Sequence, residues 1–321
     1  VNNAEQPTVT RNYHRPVMLQ ECLEALRIRP DGVYADVTFG GGGHSIAILE
    51  KLTTGKLFAF DQDEDAERQA AQIQGRSFKF CKANFKELEK VLRDQGVTKL
   101  DGILADLGIS SHQIDEPKRG FSTRFEGPLD MRMNQSAKKT AADILNTSDE
   151  AHLHRLLGMF GEIRNAKTTA ARLVQWRNQQ AKSHPYKMTS DLLAAVSGLA
   201  PRGKEYKWLA QVFQALRIEV NDEMGALEAL LKQCASLIAP GGRLVVMSYH
   251  SLEDRMVKHF IQSGNVYGKI EKDFFGNLIR PFEPVTRKAM VASDQEVAEN
   301  SRARSARLRI AERTLDKKEK V

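Results

Sequence analysis

Cysteine is scarce in this chain. Only Cys22, Cys81 and Cys234 occur among 321 residues, far apart and without a CxxC pair. That spacing argues against a disulfide framework and a cysteine-built zinc cage, and fits reduced, buried thiols in a cytoplasmic protein. No apolar run approaches the ~18 residues that span a bilayer, so no membrane partner is expected. The opening stretch VNNAEQPTVTRNYHRP has no charged-then-apolar-then-small pattern, so no signal peptide is expected. Low-complexity tracts and internal repeats are also missing. His44 has no His or Cys partner at ligand spacing, so no metal is expected.

What is present is ordinary globular composition. Hydrophobic residues make up 41% and charged residues 28%, enough for a core without staples. At ~150 residues per domain, the length suggests one large domain or two modest ones. The net charge of +7 is unevenly spread. Residues 301–321 hold eight Lys/Arg against three Asp/Glu, and residues 115–206 hold fifteen against ten. A basic excess in a middle segment and a tail points to a polyanion-binding surface; a merely solvated surface is the alternative. Within the tail, Leu308 and Ile310 alternate with Arg307 and Arg309. This pattern predicts an edge strand whose arginines face outward.

Periodicity gives the architecture. GVYADVTF (32–39) reads as a buried strand, followed by four glycines, Gly40 to Gly43, and a helical SIAILEKL. KLFAFD is a second strand. DEDAERQAAQIQ is a helix with acids at its start, where the dipole favours them. SFKFCKANF holds a third strand, FKELEKVLRDQG a helix, and KLDGILADLG a fourth strand. Such alternation predicts a parallel, doubly wound α/β sheet. From Ala137 to about Leu199 the pattern is helical throughout, an all-α insertion. The sheet then resumes with the helix ALEALLKQCASLI, an APGG turn, the strand RLVVMSYH and the helix SLEDRMVKHFIQ.

A strand that ends in glycines at a helix start is a ligand cradle, because backbone without Cβ atoms can approach a ligand closely. Asp61 closes the second strand, twenty residues after Gly41, where a carboxylate can accept from both hydroxyls of a ribose. The dinucleotide spacing G-x-G-x-x-G fails: Gly40 and Gly42 place Ser45 at its last position, and Gly41 and Gly43 place Ile46. Asp36, just before the loop, suits a cationic ligand better than a pyrophosphate. S-adenosylmethionine, with its sulfonium and ammonium, meets those conditions. Phe85 sits where an adenine could pack; a core phenylalanine is the alternative. Asp106 ends the fourth strand, at the edge where open α/β sheets bind ligands, although an Asp there can be only a turn cap.

The motifs HRPVMLQECLEAL, DVTFGGGGHS, FDQD, DLGISSHQID, RGFS, GPLDMRM, FQALRIEVNDE, APGGRLVVMSYHSLEDR and ENSRARSARLRIAER occur in that order. Together, from His14 to about Arg313, they resemble the bacterial 16S ribosomal RNA (cytosine-N4)-methyltransferase family. The resemblance implies a class I (Rossmann-like) methyltransferase core interrupted by a helical substrate-binding insertion. We place the core at 1–114 and 207–321, the latter with a basic C-terminal segment, and the insertion at 115–206. The resemblance also implies methyl transfer from S-adenosylmethionine to the exocyclic N4 amine of a cytidine in the decoding region of 16S ribosomal RNA, either as free RNA or within the small ribosomal subunit. It implies cofactor contacts at Gly42, Gly43, His44, Asp61, Phe85, Asp106 and Gln113, to which the loop reading adds Asp36 and Gly41. The chain departs from the pattern before FQALRI: KEYKWLAQV stands where many members carry a His-Pro and an Arg-Thr pair.

Attack by an amine on a sulfonium methyl needs alignment, and neither a metal nor a thiolate adduct. Acceptors on the amine protons assist it. Asp106, Ser110, Ser111 and His250 are the candidates. In HSLED, Ser251 and Asp254 have capping-box spacing. In GPLDMRM, Asp130 and Arg132 form an ion pair that fastens the insertion to the core, or Arg132 contacts phosphate. Arg302 and Arg304 are further substrate candidates. A nucleotide-dependent oxidoreductase and a non-catalytic RNA-binding factor are the competing functions. A homodimer is compatible with the sequence and not fixed by it.

Overall fold

The computed structural model describes residues 16–180 and 185–314. The opening residues read above for a signal peptide, and the end of the basic tail, lie outside the described residues. The chain divides into two compact units, residues 1–108 with 224–321, and residues 109–223.

The first unit is built on a seven-stranded sheet: β1 (Val33–Asp36), β2 (Lys56–Asp61), β3 (Phe78–Lys82), β4 (Leu100–Asp106), β5 (Ile238–Ser248), β6 (Phe282–Pro284) and β7 (Arg307–Arg313). The order is β3-β2-β1-β4-β5-β7-β6, with β1 to β5 parallel and β7 antiparallel to both its neighbours. The expected doubly wound α/β fold is therefore present. Side chains alternate across it, as the two-residue period of a strand requires. Ile103, Ala105, Leu244 and Val246 enter one apolar cluster with the helices Leu88–Asp94 and Glu223–Leu237. Leu104, Val245 and Met247 enter a second with the helix Leu19–Leu26. β1 lies between β2 and β4, so the chain reverses its winding direction there. In open sheets that reversal leaves a crevice at the carboxyl ends of the strands.

Two details depart from the sequence reading. APGG is not a turn ahead of the strand. It lies inside β5 as an irregularity, where Leu100 pairs with Ile238 but Gly102 pairs with Arg243. β7 is not an edge strand. It lies between β5 and β6, paired along both edges; Arg307 is exposed as the alternation predicts, whereas Arg309 is not. Leu308 and Ile310 are buried, Arg309 forms a two-pronged pair with Asp254, and Arg313 is buried and donates to the carbonyls of Ala235, Pro281 and Thr314.

The second unit is helical. Its core joins Leu153, Leu156, Leu157, Leu173, Leu192, Trp208, Phe213 and Leu216, among others. It runs further than the 115–206 read from sequence, because the helix Glu205–Asn221 buries Trp208, Val212, Phe213, Ala215 and Leu216 in this cluster. Among the described residues no helix is long and apolar enough to cross a membrane.

Gly120 has φ +72°, and a Cβ there would lie 2.1 Å from the Pro128 carbonyl oxygen. Both tryptophans of the chain, Trp176 and Trp208, belong to this unit, so intrinsic fluorescence reports on it selectively. Gly120→Ala should destabilise the unit by about 1–3 kcal/mol. The urea midpoint read by tryptophan emission should fall accordingly, and an unchanged midpoint would contradict the packing described.

Candidate active site

Three carboxylates mark the carboxyl ends of three neighbouring strands: Asp36 on β1, Asp61 on β2 and Asp106 on β4. The strand β1 leads into the glycine loop. Gly42 caps the following helix, Gly43–Leu49, at φ +80°, a conformation that side chains with a Cβ rarely adopt. A Cβ on Gly42 would also lie 2.7 Å from the Phe39 ring. Asp36 ties this loop to its helix. Its Oδ1 accepts from the Thr38 amide at 3.1 Å and its Oδ2 from the Ser45 hydroxyl at 2.7 Å. Thr38 in turn accepts from the Asp106 amide at 2.6 Å, which joins the ends of β1 and β4. Asp61 reaches across from β2 and accepts from the Gly40 amide at 2.8 Å and the Asp63 amide at 2.9 Å.

Asp106 accepts a 2.8 Å hydrogen bond from the Tyr249 hydroxyl. Its other oxygen lies 3.7 Å from His44 Nδ1. His44 is buried, with Nε2 3.2 Å from the Val17 carbonyl oxygen, an atom that only accepts. The imidazole proton therefore sits on Nε2, and Nδ1 turns its lone pair toward Asp106. Burial pushes the His44 pKa down to about 4, so the ring is neutral and does not balance the carboxylate.

The acids themselves move the other way. Burial raises Asp106 to about 7 despite the Tyr249 hydrogen bond, and raises Asp61 to about 6 despite its two backbone donors. It also raises Asp36, against the hydrogen bonds from Ser45 and Thr38. Among the described residues no Lys or Arg pairs with any of the three. All three cysteines are buried and burial raises each thiol, so none offers a thiolate at neutral pH.

The remaining residues singled out from sequence fall as follows. Phe85 begins a short 3-10 turn after β3, half-buried against the first apolar cluster. His250 and Glu253, not Ser251 and Asp254, are the ends of the capping box on the helix Ser251–Ser263. The cap falls one residue earlier because β5 stops at Ser248, and Asp254 is taken by Arg309. The His250 side chain is mostly buried beside Glu253, with Nε2 3.2 Å from a carboxylate oxygen. Arg302 and Arg304 lie on a 3-10 turn ahead of β7, Arg304 exposed.

Ser110, Ser111 and Gln113 belong to the helical unit. Ser110 and Gln113 close a reciprocal capping box on the helix Ser111–Asp115. Asp130 and Arg132 form a two-pronged ion pair at 2.7 Å, and Arg132 Nη1 also donates to the carbonyls of Gln135 and Ala137. All of those partners lie between residues 130 and 137, so the pair shapes that loop.

Tyr249, Thr38 and Ser45 were not singled out from sequence. For Tyr249 the signal lies in the sheet register and not in the sequence. Tyr249 lies two residues beyond Met247, the register partner of Asp106.

The profile of the MraW methylase family matches residues 11–314. A protein of Cytophaga hutchinsonii named ribosomal RNA small subunit methyltransferase H is 56% identical over 94% of this chain and 99% of its own length. A protein of the same name from Amoebophilus asiaticus is 52% identical over 94% and 96%. Among solved structures, an rRNA methylase from Streptococcus thermophilus aligns with a TM-score of 0.38 and 14% identity, over 93% of this chain and 96% of that one.

The raised acids give a pH signature. A carboxyl ionised near 4 when unfolded and near 6 to 7 when folded leaves the folded state holding more protons between those values. Stability from these groups is complete below about pH 4 and is lost as pH rises through 7. His44 acts oppositely, losing stability as pH falls from its unfolded value toward 4. Asp106→Asn should therefore melt progressively higher than the parent as pH is raised from 4.5 to 8 without ligand. A difference that stays constant over that range would contradict the burial of Asp106.

Proposed function

The chain belongs to the MraW methylase family, and from that premise we propose that it transfers a methyl group from S-adenosylmethionine to the exocyclic N4 amine of a cytidine in small-subunit (16S) ribosomal RNA. The names of its relatives support an rRNA substrate. The decoding region as target, an assembled subunit as substrate and a cytoplasmic location belong to the same reading. The observation that carries it is the set Asp36, Asp61 and Asp106, three strand-end carboxylates without a Lys or Arg partner among the described residues. A cationic ligand offsets the cost of burying such charges, whereas a pyrophosphate adds to it.

The residues fit that cofactor. Asp61 keeps lone pairs beyond its two backbone bonds and would accept from the ribose hydroxyls. Gly41, Gly42, Gly43 and His44 form the close-approach surface, and Asp36 holds its shape through Thr38 and Ser45. Phe85 offers a partly exposed ring for the adenine, and Gln113 follows from the family pattern. When bound, the cofactor supplies an electrophilic methyl on a sulfonium, which already carries a good leaving group.

The chain's own work is on the amine. Its lone pair is conjugated with the pyrimidine ring, and an acceptor on its protons frees that lone pair. Asp106 is that acceptor, and Tyr249 fixes its orientation and favours its charged form. Neutral His44 offers a second lone pair beside it. Ser110, Ser111 and His250 are secondary candidates. Arg132 is committed to its own loop, so we assign it and Asp130 a shaping role and leave phosphate contact to the half-buried Arg302, the exposed Arg304 and further exposed cations. The base must leave its stack or already be unpaired.

The test is labelled methyl transfer to small-subunit particles, followed by nucleoside analysis. The wild-type protein should give N4-methylcytidine. Asp106→Ala should bind cofactor measurably but more weakly and, at saturating cofactor, lose about 10²-fold or more in turnover. Tyr249→Phe should move the acid limb of the kcat profile to higher pH, because Asp106 loses the donor that lowers its pKa. Full turnover by Asp106→Ala with normal cofactor binding would overturn the assignment.

A further inference from the structure

The helical unit carries a feature that the methyl-transfer site does not use. The helix Glu205–Asn221 is preceded by the exposed sequence PRGK and opens with the exposed EYK. Tyr206, in its first turn, is 87% exposed. Arg202, Lys204 and Lys207 stand around it in sequence, all exposed.

A second group of cations is fastened to the same end of the unit. The Asn165 side chain accepts from Trp208 Nε1 at 3.0 Å and donates to the Leu199 carbonyl at 3.0 Å. Asn165 caps the helix Ala166–Gln179, so the starts of the two helices are held together. Arg164 and Lys167 flank Asn165, and both are exposed. None of the five cations forms an ion pair among the described residues. The acids at this end are Glu205, whose carboxylate accepts from the Gly203 amide at 2.9 Å, and Glu162, which has a partner of its own.

An uncovered aromatic ring among uncovered cations is poorly suited to a protein core or an apolar partner. It matches a single-stranded nucleic acid, whose bases stack on aromatic faces while its phosphates meet Lys and Arg. We propose that this end of the helical unit is a single-stranded RNA contact. Tyr206 stacks on an unpaired base, and Arg202, Lys204, Lys207, Arg164 and Lys167 engage the neighbouring phosphates. The proposal rests on the RNA-methylating reading and deepens it. It assigns a substrate contact to the stretch KEYKWLAQV, in which this chain departs from the family pattern.

The test measures affinity for a labelled single-stranded oligoribonucleotide with unpaired cytidines, and for small-subunit particles, over a range of salt. The variants are Tyr206→Ala, Tyr206→Phe and the triple change of Arg202, Lys204 and Lys207 to Ala. Titration with S-adenosylmethionine runs in parallel and should be unaltered in all three. Tyr206→Ala should weaken RNA binding about tenfold, and Tyr206→Phe should restore most of it, because the ring face is kept. The triple variant should flatten the slope of log affinity against log salt by about 2.

Wild-type affinity and slope in both Tyr206→Ala and the triple variant, with normal cofactor uptake, would overturn the proposal. So would loss of particle binding with oligonucleotide affinity intact, since the partner would then be a ribosomal protein. Wild-type protein that takes up no donor and methylates no RNA would overturn the underlying reading and this proposal together.

Discussion

Negative charge without a protein counter-charge is the constraint on which the first unit turns. Asp36, Asp61 and Asp106 stand at the ends of adjacent parallel strands because β2, β1 and β4 are neighbours and each ends at its acid. The glycine loop folds around them, and backbone amides at Thr38, Gly40 and Asp63 aim at their oxygens. These donors hold the carboxylates in place without neutralising them. Burial therefore still raises all three acids against those hydrogen bonds. A site built this way is organised before a ligand arrives, which is the condition under which fixed charges act most strongly on a reacting group.

Burial keeps the nearby His44 imidazole, the thiols of Cys22, Cys81 and Cys234 and the Tyr249 phenol uncharged at neutral pH. The Tyr249 phenol is pushed well above its ordinary range by burial and by Asp106, so it remains a donor. Among these shifted groups only the carboxylates supply charge. That arrangement suits transfer of a methyl from a cationic donor to an amine, and gives no support to attack by a cysteine on the pyrimidine ring.

Much of this was legible in the residues. Strands of a parallel sheet are buried on both faces, so GVYADVTF, KLFAFD and KLDGILADLG stand out as apolar runs, and the acid in the second half of each run lies at the ligand edge. Contacts far apart in sequence were not legible. The irregularity in β5 depends on its pairing with β4, and the interior position of β7 depends on the three-residue strand β6, too short to give a pattern of its own. The helix cap passed to His250 and Glu253 because Asp254 had a partner 55 residues away. Tyr249 was counted as strand, and only the register of β5 against β4 shows that its hydroxyl reaches Asp106. The helical unit outran its expected boundary because burial of the Glu205–Asn221 helix is tertiary, whereas the sequence pattern is local.

The most direct measurement of the central claim is proton release on binding the sulfonium donor, by calorimetry near pH 6.5 in buffers of different ionisation enthalpy. Asp106 holds a proton on a substantial fraction of molecules at that pH, and a bound cation drives it off. The account predicts net proton release by the wild-type protein and a markedly smaller release by Asp106→Asn. Binding with no proton exchange, or equal exchange in the two proteins, would contradict it.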